Sequence, residues 1–412
     1  MPHPASTTRL LDDARPAPGL HLLDASMFWG QVGGVRRVLT TKHRLLDRLG
    51  WRHTVLAPGA RGPGYLDCGG VHLPASGGYR VVLARRHVEQ MIERAGPDVV
   101  EAADPYTLAW AALVACRRLK VPAVAFCHSD LPAILARLLA GSTALATARG
   151  RWVARRARDY LSDLYARFDL VLAPSATMAQ RLRGWGVPRV VMQPLGVDCR
   201  VFRPGARDPV WRAQLCDQLG LDPGARLLLY TGRFAPEKNL QILADAVRLL
   251  GPGHALLAVG TGPAPPRGER VHLVEPEGDS ARLARLLACS DSYVHAGNQE
   301  TFGLGVLEAM ACGTPIVVSA GAGLGELAHD AGIAVPRLRA QEWAEAIHES
   351  LRTGVSSRSQ AALERARRHD WPLIVEQMAA RYAALVRRHH GEQQPMRPAT
   401  APARSTPATS AP

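Results

Sequence analysis

Two glutamates, Glu300 and Glu308, bracket a glycine-bearing turn in the stretch His295-Ala-Gly-Asn-Gln-Glu300-Thr-Phe302-Gly-Leu-Gly-Val-Leu-Glu308-Ala-Met-Ala-Cys-Gly-Thr-Pro315-Ile-Val-Val-Ser319. Tyr293-Val294 close an apolar run of strand type, and Gly297 to Glu300 is polar and turn-prone. Phe302 to Cys312 predicts a short helix, stopped by Gly313 and Pro315. The free N–H groups and the dipole at such a helix start attract an anion. Gly303 and Gly305 would let backbone approach a phosphate closely. Glu300, just ahead of the helix, suits sugar hydroxyls. Glu308, roughly 9 Å along the helix from its start, could hold a ribose diol with both oxygens. A capping carboxylate followed by an ordinary helix glutamate would give the same spacing. The reading therefore rests on the Phe-Gly turn, the Glu-Ala-Met-Ala helix and the Gly-Thr-Pro-Ile-Val strand standing together in register.

A second constellation is Tyr230-Thr-Gly-Arg233-Phe-Ala-Pro-Glu-Lys238-Asn239-Leu240. A strand enters a turn, and a helix opens after Pro236. Arg233 and Lys238 would both project near that helix start, where two cations suit a diphosphate and the charge on a departing phosphate. His128 and Asp130 follow an apolar run that ends at Cys127; Asp130 could orient His128 or bind an acceptor hydroxyl. Gly33-Gly34, in Gly30-Gln-Val-Gly33-Gly34-Val-Arg-Arg37, is a glycine pair before a helix but not the spacing of a nicotinamide-dinucleotide loop. Residues 133–168 mix apolar residues, Trp152 and many arginines, a combination that suits a membrane interface or an arginine-faced surface helix.

These residues need a scaffold, and 412 residues suffice for two domains with full cores. Short apolar runs alternate with longer amphipathic segments, the pattern of α/β folds. The expected strands are 20–23, 53–57, 99–102, 123–127, 170–173, 190–193, 226–231, 255–260, 271–273, 292–295 and 316–319. Residues 1–18 read as a flexible leader without a secretory signal, and 390–412 as a low-complexity, disordered tail. Seven scattered cysteines without metal-ligand spacing suggest reduced thiols in a cytoplasmic protein and no structural zinc. The formal charge of +14 is carried almost wholly by arginine, since Lys42, Lys120 and Lys238 are the only lysines. That charge suits a nucleotide-sugar diphosphate or an anionic membrane surface. Nucleic acid ranks last, because no zinc-finger, helix-turn-helix or aromatic-interleaved basic platform is visible.

The Glu300/Glu308 and Arg233/Lys238 constellations closely resemble those of the retaining glycosyltransferases of family 4 (glycosyl transferases group 1), similar to bacterial mannosyl- and hexosyltransferases. The resemblance covers residues 20–389. It implies an α/β GT-B fold of two Rossmann-like domains with the active site in the interdomain cleft. Pro194-Leu-Gly-Val-Asp-Cys-Arg-Val-Phe202-Arg-Pro204 resembles the family's linker. Domains are therefore expected at 19–197 (acceptor) and 198–370 (donor), with helix 371–389 returning to the first. The resemblance further implies that Arg233 and Lys238 hold the donor diphosphate and that Gly33 and Gly34 reach the donor phosphates. Glu300, Phe302, Gly303, Leu304 and Glu308 would bind the donor, and Val274, after the Gly260-Thr-Gly262 turn, would meet the base. His128 would line the reacting face, with Asp130 on the acceptor side; His128, Arg233, Lys238 and Glu300 form the catalytic set.

The expected reaction moves a hexose, with GDP-mannose preferred, from the nucleotide sugar to a hydroxyl of a glycan or lipid-linked acceptor, with retention. No cofactor is expected: the nucleotide sugar is a substrate, and no Asp-x-Asp metal motif is present. The location would be cytoplasmic and peripheral on the inner face of the membrane. Alternatives are a UDP-hexose donor, a carbohydrate hydrolase using the paired carboxylates, and a non-catalytic nucleotide- or membrane-binding scaffold.

Overall fold

The computed structural model describes residues 19–29, 34–72, 80–140, 147–352 and 357–393. Gly33, the expected leader and most of the expected tail lie outside them. The first half runs β1 (His21–Ala25), α1 (Gly34–Arg48), β2 (Arg52–Ala57), β3 (Tyr65–Asp67), β4 (Val71–His72), β5 (Arg80–Val81), α2 (Arg85–Ala95), β6 (Val99–Ala102), α3 (Thr107–Leu119), β7 (Ala123–Phe126), α4 (Leu131–Ala140), α5 (Ala148–Tyr165), β8 (Leu170–Ala173), α6 (Ala176–Gly184) and β9 (Val190–Met192). The second runs α7 (Pro209–Gln218), β10 (Arg226–Thr231), α8 (Leu240–Leu250), β11 (His254–Val259), β12 (Val271–Val274), α9 (Ser280–Cys289), β13 (Ser292–His295), α10 (Leu304–Ala311), β14 (Ile316–Ser319), α11 (Ala322–Ala328), β15 (Ile333–Val335), α12 (Ala340–Arg352), α13 (Ser357–Arg368) and α14 (Trp371–Gln393).

Each half is a parallel sheet covered by helices, so this is an α/β protein of two Rossmann-like halves. The strand orders are β3-β2-β1-β6-β7-β8-β9 and β12-β11-β10-β13-β14-β15. In each the order reverses beside the half's first strand: Leu23 of β1 pairs with Thr54 on one side and Val100 on the other, and Leu229 of β10 with Leu257 and Tyr293. The C-terminal ends of strands at such a reversal are where ligands enter doubly wound folds. The central strands are near-continuous apolar runs because helices bury both faces, as in Leu227-Leu-Leu-Tyr230. The expected strands all form; β3 and β15, each at a sheet edge, and the small antiparallel pair β4–β5 are additional.

The chain crosses between halves twice, at Val197 and near Asp370, and the crossings pair. Val197 N donates to His369 O at 2.8 Å, and Trp371 N to Val197 O at 3.0 Å. Gly196 permits this approach, since a Cβ there would lie 2.6 Å from the Trp371 ring. After the second crossing α14 packs back against the first half. It is longer than expected: residues 390–393, assigned to the tail from sequence, continue the helix. One apolar cluster runs from a face of the first sheet (Leu22, Val124), through Ile374, Val375 and Met378 of α14, to a face of the second (Leu229, Val318).

The returning helix is anchored on a buried ionic cluster. Lys42 of α1, only 1% exposed, donates to Asp24 of β1 (2.9 Å), Glu101 of β6 (2.9 Å) and Tyr382 Oη of α14 (3.2 Å). Tyr382 Oη also donates to Glu101, and His53 Nε2 meets Asp24 at 2.8 Å. Burial alone would raise the Asp24 carboxyl, but Lys42 and His53 outweigh it and hold it well below the usual range. For Glu101 burial prevails, assisted by the Asp24 charge and opposed by Lys42, and its carboxyl is raised.

Lys42→Met would leave two buried carboxylates without their cation. It should cost about 3–5 kcal/mol, the range for breaking a buried ion pair, read by urea denaturation. Because Glu101 is raised on folding, the native state keeps a proton that the unfolded chain releases. The stability this contributes is full below about pH 4 and is lost as pH rises through the raised value. Glu101→Gln should flatten that decline.

Candidate functional site

The C-terminal ends of β7, β10 and β13 face one another across the cleft between the sheets. The first polar loop follows β13. Gly303, with φ +110°, starts α10 in the left-handed region, and a Cβ there would collide with Leu324. Phe302 is buried, and the Leu304 side chain meets the start of α1 at Gly34, where an added Cβ would lie 3.2 Å from it. Gly305 has a different reason from the phosphate approach expected of it: its missing side chain leaves room for Tyr293 Oη and Thr231 Oγ1, so α10 sits directly on β10 and β13.

Glu300 and Glu308 are both paired with cations. Glu300 contacts Lys238 Nζ and lies 3.6 Å from His295 Nε2. Glu308, buried at 4% exposure, pairs with Arg37 of α1, in the other half of the molecule. Burial raises the Glu308 carboxyl, and Arg37 opposes the rise.

The second loop follows β10. Pro236–Lys238 forms a single 3-10 turn, and Asn239 then takes φ +51°, a conformation asparagine tolerates better than most residues. Asn239 Nδ2 donates to Ala296 O at 3.0 Å, tying this loop to the one after β13. That tie brings Lys238 to Glu300. Arg233 is exposed, and its Nη2 binds Glu237 Oε1 at 2.7 Å; the other Glu237 oxygen lies 3.6 Å from Arg137 Nη1 of α4. Burial lowers the Lys238 pKa to about 8; Arg233 and Arg137 add to the effect, and Glu237 opposes it.

The first half contributes His128, two residues beyond β7. Its ring stacks on Phe126 at 4.1 Å and 7°, and its Nε2 is buried without a hydrogen-bond partner. Burial, then Lys42, lowers its pKa to about 3, so the imidazole is neutral and one ring nitrogen is unused. Burial first and Lys238 second do the same to His295, also to about 3. Asp130 does not present a free carboxylate. It pairs with Arg181 and accepts from Ala133 N at 3.2 Å, capping α4. Val274 ends β12, and its carbonyl accepts from Gly260 N at 2.9 Å, so that oxygen is occupied by the Gly260 turn.

The halves meet through further polar contacts. Thr301 Oγ1 donates to His128 O at 2.8 Å, and Glu326 accepts from Ala176 N (3.0 Å) and Thr177 N (3.1 Å) at the start of α6. Sequence reasoning assigned no role to Arg37, Arg137, Glu237 or Glu326. Arg37 sits within the quoted glycine loop and Glu237 beside Lys238, but partners as distant as 271 positions leave no local pattern. No group of three or more His, Cys, Asp or Glu that could hold a metal ion occurs among the described residues.

Comparison with known proteins agrees with this architecture. Residues 32–201 match the model of Glycosyltransferase Family 4, and residues 225–353 that of Glycosyl transferases group 1. A GDP-mannose-dependent alpha-mannosyltransferase of Mycobacterium tuberculosis is 31% identical over 307 residues, 70% of this chain and 73% of that protein. A GDP-mannose-dependent alpha-(1-6)-phosphatidylinositol dimannoside mannosyltransferase of the same species is 29% identical over 401 residues, 89% of this chain and 97% of that protein. Among solved structures, sucrose-phosphate synthase from Thermosynechococcus elongatus superimposes with TM-score 0.70 at 21% identity, over 90% of this chain and all of that one, which places the fold among GT-B proteins.

Anion binding at the Arg233/Lys238 loop should be pH-dependent. With its pKa lowered to about 8, Lys238 is charged below that value and loses its proton above it. Inorganic pyrophosphate should raise the melting temperature at pH 7 and much less at pH 9, and Lys238→Met should abolish most of the difference.

Proposed function

The chain belongs to the family 4 (group 1) glycosyltransferases and is a hexosyltransferase, and from that premise we propose that it moves mannose from GDP-mannose to a hydroxyl of a glycan or lipid-linked acceptor with retention of configuration. The observation that carries this reading is the meeting of the two motifs: the Glu300 carboxylate is in contact with Lys238, and Glu308 stands in the helix that follows. The preference for GDP-mannose is supported by the names of the two mycobacterial relatives. A UDP-hexose is the alternative donor.

In this mechanism residues 198–370 bind the donor and 19–197 the acceptor. Glu308 exchanges Arg37 for the ribose diol, and Glu300 exchanges Lys238 for sugar hydroxyls. Arg233, Lys238 and the N–H groups starting α10, with Phe302, Gly303 and Leu304 shaping that turn, take the diphosphate. Gly34 would approach it from the first half, and Val274 would lie toward the base. Neutral His128 offers its unused Nε2 to a hydroxyl at the reacting face. Asp130 serves the acceptor side by ordering α4.

The acceptor oxygen attacks the anomeric carbon on the face from which the diphosphate leaves. The bond from that carbon to the phosphate oxygen breaks, and the departing phosphate takes the acceptor proton. Charge grows on that phosphate in the transition state, where Lys238 and Arg233 act most strongly. Because these cations provide the positive field, turnover is expected to persist in EDTA.

For the acceptor, α5 carries an outward face with Trp152 61% exposed and Arg149, Arg151, Arg155 and Arg156 beside it. That face suits an anionic membrane surface and supports a peripheral location at the cytoplasmic side. No helix among the described residues is long and apolar enough to cross a membrane.

The test is a donor screen of GDP-mannose, UDP-glucose, UDP-galactose, UDP-N-acetylglucosamine and ADP-glucose in EDTA, read by thermal shift and sugar release. GDP-mannose should stabilise the wild type and not Glu308→Ala. Lys238→Met should lower kcat about 100-fold, the scale of one lost transition-state contact, with a smaller change in donor affinity. The anomeric coupling of the product by NMR reads retention. Sugar release from substrates lacking a nucleotide would point to a hydrolase, and a flat screen with folded protein to a silent scaffold.

A further inference from the structure

The Arg233/Lys238 loop has a third basic neighbour that its own motif does not contain. Arg137 lies in α4, in the opposite half of the molecule, and its side chain is 20% exposed. Its Nη1 is buried and makes no hydrogen bond, and it lies 3.6 Å from Glu237 Oε2. The other oxygen of the same carboxylate is held by Arg233 Nη2 at 2.7 Å. Glu237 thus lies between two guanidiniums, one from each half, and is close enough to only one of them for a hydrogen bond. A guanidinium has five N–H donors in a planar fork suited to phosphate, and a buried donor without an acceptor is costly. Both facts favour a larger anion with more oxygens at this position.

The charges around the loop point the same way. Arg37, Arg137, Arg233 and Lys238 face Glu237, Glu300 and Glu308, four cations against three carboxylates. Arg137 also acts on Lys238, helping burial to lower its pKa, which places its charge in the field of the same site. The helix that carries it is held in place by the Asp130 cap and by the Arg181–Asp130 pair.

We propose that Arg137 is a third cation of the diphosphate site: it binds the sugar-bearing phosphate of the donor from the first half, with the Glu237 carboxylate holding its place when no ligand is bound. The proposal rests on the donor reading above. It adds that recognition of the second phosphate is shared between the halves and is completed only when they meet.

The experiment is isothermal titration of the full chain with GDP, GMP, UDP and UMP, using wild type, Arg137→Met, Arg137→Lys and Glu237→Gln. For the nucleoside that binds, Arg137→Met should weaken the diphosphate about tenfold, the scale of one charge-assisted hydrogen bond, and leave the monophosphate unchanged. Arg137→Lys should recover part of the loss. Glu237→Gln should strengthen diphosphate binding in the otherwise wild-type chain and less in the Arg137→Met background, where it releases Arg233 alone; that difference provides a second reading should Arg137→Met alone melt early. A ratio of diphosphate to monophosphate affinity unaltered by Arg137→Met overturns this proposal alone, and so does an equal loss for both ligands, as expected of a contact that only holds the halves together. Wild type binding none of the four nucleotides overturns the donor reading and this proposal with it.

Discussion

The site depends on how the chain closes on itself. Two crossings between the halves pair at Val197 and Asp370, and α14 then carries Tyr382 into the first half to meet Lys42 and Glu101. A lysine 1% exposed needs carboxylates around it, and those carboxylates need it, because an unpaired charge in the interior is far more costly than a paired one. Asp24, Glu101, Lys42 and Tyr382 come from β1, β6, α1 and α14, so their mutual requirement fixes the returning helix against the first sheet. With the crossings paired and the strap anchored, the two sheets turn their C-terminal edges toward one cleft.

Within that cleft the same electrostatic rule operates at smaller cost. Burial makes charge expensive, and each proposed donor-binding carboxylate is matched by a cation: Glu308 by Arg37 and Glu300 by Lys238. Glu237 likewise engages Arg233. The two histidines beside the loops respond to burial in the other way open to them, by staying neutral. The result is a cleft in which most charges are paired, and the proposed donor would replace those pairs with its own hydroxyls and phosphates. Arg37 and Arg137 reach across from the first half, so the neutralisation itself helps to hold the halves together.

Much of this was legible in the residues. Strand–turn–helix units declare themselves through apolar runs bounded by glycine and proline, and such runs located the strands that line the cleft. The glutamate pair, the Arg-Lys loop and the linker at 194–204 are contiguous stretches whose local geometry decides what they present. Strands β3, β4 and β5 escaped because none of their residues is buried, so no apolar run marks them, and the edge strand β15 escaped with them. Asp130 shows the opposite limit: its position after β7 suggests a free carboxylate, yet α4 and Arg181 use it.

By itself the sequence determined two α/β halves, the turn that exposes Glu300, the helix that carries Glu308, and the loop that presents Arg233 and Lys238. These follow from periodicity, backbone-permissive residues and short-range spacing, and they act over a few neighbouring positions. The tertiary structure alone decided the partners: Arg37 for Glu308, Arg137 beside Glu237, Glu326 at the start of α6, and Tyr382 for Lys42. The physical reason is that a charge finds its counterion in space. Residues 271 or 340 positions apart share no local pattern until the folded chain brings them within hydrogen-bonding distance.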